Sequence, residues 1–287
     1  MLQCFGQGVN AQWLDHQPFR FEHRLLGHPA LSMENLARVI PRLPQGQVMY
    51  STRLLATDDN FEKTFRQRPI DRSIEETIET LRTSDSYIMV NSPQVDESFR
   101  ELYEALIGDV ETLMRERGVG VKAVTPKLYL FIASPNSVTP FHIDRYSTFL
   151  LQFQGSKQVT VSMPFDERVV TDADCENYVS YVSTKLPWGP EKDRYSTTFD
   201  FEPGQAIHIP FVSGHHVRNG PGEVSVSMSI IFNTAQTMMW RETLNFNQRM
   251  RKWLGPVGIA PGHVGRSPLR DGCKAALWHQ WARLRGY

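Results

Sequence analysis

His142 and Asp144 stand two residues apart, and His215 follows 71 residues after Asp144. Two imidazoles and one carboxylate form the ligand set that holds one face of an Fe(II) ion, leaving the remaining positions open for a cosubstrate and O2. A lone His-x-Asp pair turns up by chance in many chains, where it is an ordinary core histidine with a solvated partner. The ordered set in its context is far more specific. Thr139-Pro140-Phe141-His142-Ile143-Asp144 runs into an apolar stretch and then Gly155-Ser156-Lys157. Pro203-Gly204-Gln205-Ala206-Ile207-His208-Ile209-Pro210 precedes Gly214-His215-His216-Val217-Arg218-Asn219.

Such ligands must converge on one point. In a β-strand residues i and i+2 share a face. A strand predicted from Val138 to Asp144 places His142, Asp144 and Tyr146 on one side and Phe141 and Ile143 on the other. The same alternation groups His215 with Val217 and Asn219, and His216 with Arg218. Arg218 suits solvent or a rim, so the face carrying Val217 is the better inward one. This favours His215 as the third ligand, with His216 as the alternative. His208, ahead of Ile209-Pro210, reads as a packed strand residue with a minor claim on a metal. Arg145 and Arg218 read as solvated arginines that could line a substrate mouth.

The set resembles the JmjC-like, cupin-type 2-oxoglutarate oxygenases, above all the bacterial cupin-like group and the protein hydroxylases of the JmjC class. The resemblance covers residues 121–233 well, the N-terminal third loosely, and the last 50 residues hardly at all. It implies a double-stranded β-helix and Fe(II)-dependent oxidation coupled to decarboxylation of 2-oxoglutarate. It makes His142, Asp144 and His215 the metal ligands. It makes Lys157, 15 residues after His142, the cation for the distal carboxylate of 2-oxoglutarate, with Thr139 as a hydroxyl partner. Tyr87 or Tyr129 offers a phenol to the same carboxylate, although Tyr129 also reads as a core strand residue. A buried dicarboxylate has to be matched by a cation and hydroxyl donors. Many relatives carry Trp just before the third ligand. This chain has Gly214 there, which predicts more room at the pocket wall.

Elements that could position these groups are legible in the pattern. A helix is predicted from Ser32 with Leu36, Val39 and Ile40 on one face. A short strand runs over Gln47 to Thr52. Ser73-Ile74-Glu75-Glu76 is a capping box opening a helix to about Leu81, and Tyr87 to Val90 is a short strand. Asp96 opens the clearest helix, with Phe99, Leu102, Tyr103, Leu106, Val110, Leu113 and Met114 at helical spacing and Gly118 as its stop. From about Val121 the period shortens. Segments at 128–133, 138–144, 148–153, 158–162, 205–209, 215–219 and 224–232 all read as strands, a spacing that suits a barrel or jelly roll. Residues 166–200 read as a long polar loop. Met238 to Leu254 and about Gly272 to Arg285 read as helices.

The expected fold is therefore mainly β with flanking helices, a jelly roll of the cupin or JmjC type. Its parts are an N-terminal helix and strand elaboration (1–120), a catalytic core (121–233) and C-terminal helices (234–287). Lys+Arg and Asp+Glu are both 31, so the formal charge is zero and no nucleic-acid or membrane partner is expected. A local basic cluster does occur at Arg249, Arg251 and Lys252. Cys4, Cys175 and Cys273 are odd in number and far apart, which speaks against a disulfide framework and for a reducing, cytoplasmic setting. Met238, Met239, Trp240, Leu244, Trp253, Trp278 and Trp281 predict a homodimer through the C-terminal helices. The expected activity is hydroxylation, or N-demethylation, of a protein or peptide side chain. A small metabolite as substrate, or a non-catalytic metal-binding cupin, is the alternative.

Overall fold

A computed structural model describes residues 2–66 and 73–285. Among these residues, eleven strands form two antiparallel sheets. The larger contains β1 (Phe19–Glu22), β2 (Val48–Ser51), β3 (Tyr87–Asn91), β4 (Val124–Ala133), β6 (Ser147–Gln154), β9 (Gln205–Ile209) and β11 (Ser225–Asn233), in the order β1-β9-β6-β11-β4-β3-β2. The smaller contains β5 (Val138–His142), β7 (Lys157–Ser162), β8 (Ser196–Phe201) and β10 (His215–Asn219), in the order β5-β10-β7-β8. The chain crosses repeatedly between the two sheets, which is the jelly-roll arrangement expected from the strand spacing. The N-terminal third is built into the larger sheet, with β1 at one edge and β2 at the other.

Alternation along β4 sets up the two layers. Leu128, Leu130 and Ile132 are buried with the outer core, whereas Tyr129 and Phe131 line the space between the sheets. The helix α4 (Arg100–Arg117) covers the outer face through Leu102, Leu106, Val110 and Leu113, all buried at intervals of one helical turn. Burying each such side chain contributes about 1.5–3 kcal/mol. Gly118 ends the helix at φ +75°, a left-handed conformation that glycine takes without a Cβ penalty. Asp109, on α4, accepts the backbone N–H groups of Gln3, Cys4 and Phe5 and so fastens the N-terminal segment to the outer layer. Asp96 caps a short 3-10 turn, Glu97–Phe99, that leads into α4.

Shorter helices flank the strands: α1 (Met33–Val39), capped by Ser32, α2 (Phe61–Arg66) and α3 (Ile74–Glu79), with the expected capping box at Ser73 and Glu76. Residues 166–200 are not a plain loop. They hold α5 (Asp172–Val179), a 3-10 stretch (Pro190–Tyr195) and the edge strand β8. The polar sequence hides both elements. Thr171 caps α5, which is too short for a clear apolar period, and β8 buries only Phe201 of its six side chains at the sheet edge.

The C-terminal helices α6 (Ala235–Leu254) and α7 (Pro268–Arg285) pack on each other, and α6 also packs on α5. Trp240 and Leu244 are buried with Phe141, Phe211 and Val169. They complete the core of this chain and are unavailable for an external contact, which corrects their assignment to a dimer face. Trp253, Leu269, Leu277 and Leu284 on these helices remain exposed, with Leu254, Val257 and Ile259 around the turn between them. Among the described residues, no helix is long and apolar enough to cross a membrane.

Candidate metal centre and active site

β5 and β10 are neighbours, and His142 and His215 stand directly opposite each other in their register. The two rings lie 4.1 Å apart between centroids. Asp144 joins them from beyond the end of β5: its Oδ1 is 3.9 Å from His142 Nε2 and its Oδ2 is 4.0 Å from His215 Nε2. One donor atom from each of the three lies within 4.8 Å of the others. β5 ends at His142, so Asp144 reaches the site from the irregular segment that follows the strand and not by strand alternation.

Each histidine is oriented by its own backbone neighbourhood. His142 Nδ1 donates to Pro140 O at 2.8 Å and His215 Nδ1 donates to Ser213 O at 3.0 Å. A carbonyl can only accept, so Nδ1 carries the proton and the Nε2 lone pairs are left to face Asp144. Backbone carbonyls commonly fix metal-binding imidazoles in this way. Thr148 Oγ1 donates to Asp144 Oδ2 at 2.7 Å and holds the carboxylate. Burial, with the adjacent His215 as a second cause, pushes the pKa of His142 down to about 3. The ring is therefore neutral, the form in which an imidazole binds a cation.

The residues singled out in the sequence come together around a single cavity of about 380 Å³. His142, Asp144, His215, Lys157, Thr139, Tyr87 and Tyr129 all line it. Lys157 begins β7 and is only 4% exposed. Among the described residues its ammonium has no hydrogen-bond or ion-pair partner. Burial alone pushes its pKa down to about 7. The phenol of Tyr87 on β3 and the hydroxyl of Thr139 on β5 are 3.0 Å apart and link the two sheets across the cavity. Burial raises the Tyr87 pKa, and burial first among several causes pushes Tyr129 up to about 12, so both stay protonated donors.

His216 points elsewhere. Its Nε2 is 3.1 Å from Asp193 Oδ1 and its ring meets Trp188 edge-on. His208 is also away from the cluster, accepting Asp15 N–H at 2.9 Å and packing on Phe19 and Phe149. Arg218 is exposed, but Arg145 is not the solvated arginine the sequence suggests. It pairs with Glu62 at 2.6 Å, donates to Tyr178 O, and lies 4.3 Å from the Tyr178 ring and 3.8 Å from the Tyr181 ring. Phe61, on α2, stacks on His142 at 4.1 Å with 11° between planes. Nothing in the sequence ties Phe61 or Glu62 to the site, because α2 reaches it only through long-range packing.

Gly214 does not widen the pocket. A Cβ there would lie 2.8 Å from Phe141 Cζ and 3.1 Å from Val169 Cγ1, on the side away from the cavity. The space is already filled by Phe141. Gly214→Ala is therefore expected to destabilise the fold by about 1–3 kcal/mol through overpacking, read from the midpoint of urea unfolding. A neutral result would show that Phe141 can move aside.

A sequence model of the family described as the Cupin-like domain matches residues 41–238, more than half of the chain. The chain belongs to the cupin-like domain family. No curated protein matches it. Among solved structures, Escherichia coli YcfD superposes with a TM-score of 0.52 at 14% identity, covering 97% of this chain and 69% of that one. A second structure, of Escherichia coli ribosomal oxygenase YcfD, gives 0.49 at 12% identity, with 97% and 68% covered. Bacillus subtilis oxalate decarboxylase gives 0.27 at 15% identity and covers 46% of this chain and 29% of its own. The first of these likenesses is one of fold. Within the cupin-like fold, the ends of β5 and β10 carry the two histidines of the cluster.

Proposed function

We propose that this cupin-like protein is an Fe(II)- and 2-oxoglutarate-dependent oxygenase acting on a side chain of a protein or peptide, by hydroxylation or N-demethylation. The observation that carries the reading is the sharing of one cavity by a two-histidine, one-carboxylate cluster and a buried lysine that has no partner among the described residues. The donor set suits Fe(II), since three ligands on one face leave room for a cosubstrate and O2. The lysine suits a dicarboxylate, because a buried cation without a counterion is costly and an incoming carboxylate relieves that cost. His142, Asp144 and His215 would hold the iron; Lys157, with Thr139 and Tyr87, would fix the far carboxylate of 2-oxoglutarate. When bound, iron supplies O2 activation, driven by conversion of 2-oxoglutarate to succinate and CO2, and the oxidising power for a C–H bond. The chain orients and encloses. Carbonyl bonds hold the imidazoles, Thr148 holds the carboxylate, and Phe61 covers one face of His142.

The direct test is turnover without an added substrate. Supplied with Fe(II), 2-oxoglutarate and O2, the purified protein should form succinate slowly, and omission of any one component should stop it. A protein that retains iron but neither binds nor decarboxylates 2-oxoglutarate would instead be a cupin enzyme or binder of another kind.

We also propose that the chain pairs through its C-terminal helices, on the apolar surface of Trp253, Leu269, Leu277 and Leu284. Two-fold pairing of one patch is the commonest closed assembly. Light scattering after size exclusion should give about 66 kDa, twice the 32.9 kDa of one chain. A monomer at micromolar concentration would remove the proposal.

A further inference from the structure

Beside the cavity lies a second depression, a groove of about 690 Å³ between the end of α5, α6 and α7. Tyr181 lines both. It is held at φ +58°, an unfavourable conformation for a bulky residue, and its ring lies against the Arg145 guanidinium. Along α6, Arg241, Asn245, Gln248 and Lys252 recur at intervals of three or four residues and form one stripe, with Arg249 beside it. The stripe starts at the cavity, where Arg241 lies 5.8 Å from the ring of Tyr146, a cavity-lining residue. It ends beside Trp281, over which Arg249 sits at 5.3 Å. The span from Arg241 to Lys252 is roughly 16 Å at the rise of an α-helix, the length of about five extended residues.

The charge along this track is uncompensated. Among the described residues, Arg241, Arg249 and Lys252 have no ion-pair partner, whereas the neighbouring Arg251 is held by Glu176 at 2.6 Å. The one acid within α6, Glu242, is 3.7 Å from His279. Between the cations stand the amides of Asn245 and Gln248, which suit peptide N–H and C=O groups, although Asn245 Oδ1 already accepts the Ser180 hydroxyl at 2.8 Å. Trp278 and Trp281 stack on each other at 5.0 Å. With Arg249 over Trp281 as well, the pair presents its edges to an apolar side chain and leaves no slot between the rings for a base.

We infer that this groove is a docking track for an acidic stretch of polypeptide, the part of a substrate chain flanking the residue that enters the cavity. The inference rests on the oxygenase reading for its purpose, but its test does not. Fluorescein-labelled deca-glutamate, titrated into the full chain without metal or 2-oxoglutarate, should bind and raise the label's anisotropy. Deca-lysine and decauridylate should bind about tenfold more weakly or worse. Arg249→Glu combined with Lys252→Glu should weaken deca-glutamate binding by about tenfold or more, because attraction becomes repulsion. Trp281→Ala should weaken it less, with circular dichroism checking that the helices persist. Arg100→Glu, at the start of α4 on the far layer, should change nothing. Equal loss with Arg100→Glu would reduce the effect to diffuse charge and overturn the inference. So would tighter binding of decauridylate, or a double variant that turns a dimer into a monomer while deca-glutamate fails to bind to either form. Failure here leaves the iron reading intact, and failure to bind iron leaves this binding untouched.

Discussion

His215→Ala is expected to abolish Fe(II) retention, and His216→Ala to leave it nearly intact. The two histidines are adjacent in the chain but face opposite ways. His215 is 3% exposed, with Nδ1 engaged by Ser213 O and Nε2 turned to Asp144. His216 is turned to Asp193 and Trp188. His142→Ala and Asp144→Ala should match His215→Ala. Loss of a partner that only orients a ligand typically costs 10–100-fold in metal affinity, so loss of a ligand itself should exceed about 100-fold. Thr148→Val, which removes the hydroxyl that holds Asp144, should fall within the lower range. Anaerobic titration with Fe(II), followed by desalting and metal analysis, reads all five variants. Iron lost with His216→Ala and kept with His215→Ala would sink the assignment of the cluster.

Why this much could be read beforehand, and no more, follows from the range of the interactions. The α4 stripe, the capping box at Ser73 and the alternation of β10 depend on residues a few positions apart, so the sequence pattern carries them. The histidines were legible because they stand at fixed offsets from Pro, Gly and apolar runs. Asp144 is legible as a ligand candidate but for an incomplete reason, since the strand stops at His142 and the irregular segment after it carries the carboxylate. Gly214 misleads because a missing side chain looks like space. The alternation that turns His215 inward turns position 214 outward, toward Phe141. Arg145, Glu62 and Phe61 were out of reach. Glu62 is 83 residues from Arg145 in the chain, and no local pattern marks either as a partner of the other. The groove along α6 was visible only as a basic cluster, Arg249, Arg251 and Lys252. Only the fold separates Arg251, committed to Glu176, from Arg249 and Lys252, which have no ion pair among the described residues.

Lys157→Ala is expected to raise the 2-oxoglutarate requirement by about two to three and a half orders of magnitude while leaving iron binding unchanged. Removing one partner of a buried charge pair typically costs roughly 3–5 kcal/mol, and 1.4 kcal/mol is about tenfold in affinity. Lys157 also predicts a pH dependence whose sign follows from its burial. Without a counterion its pKa is pushed down to about 7. Above that pH the free protein holds a neutral amine, whereas a bound dicarboxylate favours the ammonium. Binding then takes up a proton, and affinity should fall as pH rises above 7, approaching tenfold per pH unit while the bound form stays charged. Below pH 7 the lysine is already protonated and this contribution levels off. Calorimetry with the metal-loaded protein at pH 8, in buffers of different ionisation enthalpy, should show proton uptake in the wild type and its loss in Lys157→Ala. The Lys157→Arg variant keeps a charge at every pH, so it should flatten the profile even if its bulk weakens binding. If uptake persists in Lys157→Ala, another group takes the proton. If affinity is also unchanged, the buried lysine is not the carboxylate's partner and the cavity is built for a different cosubstrate.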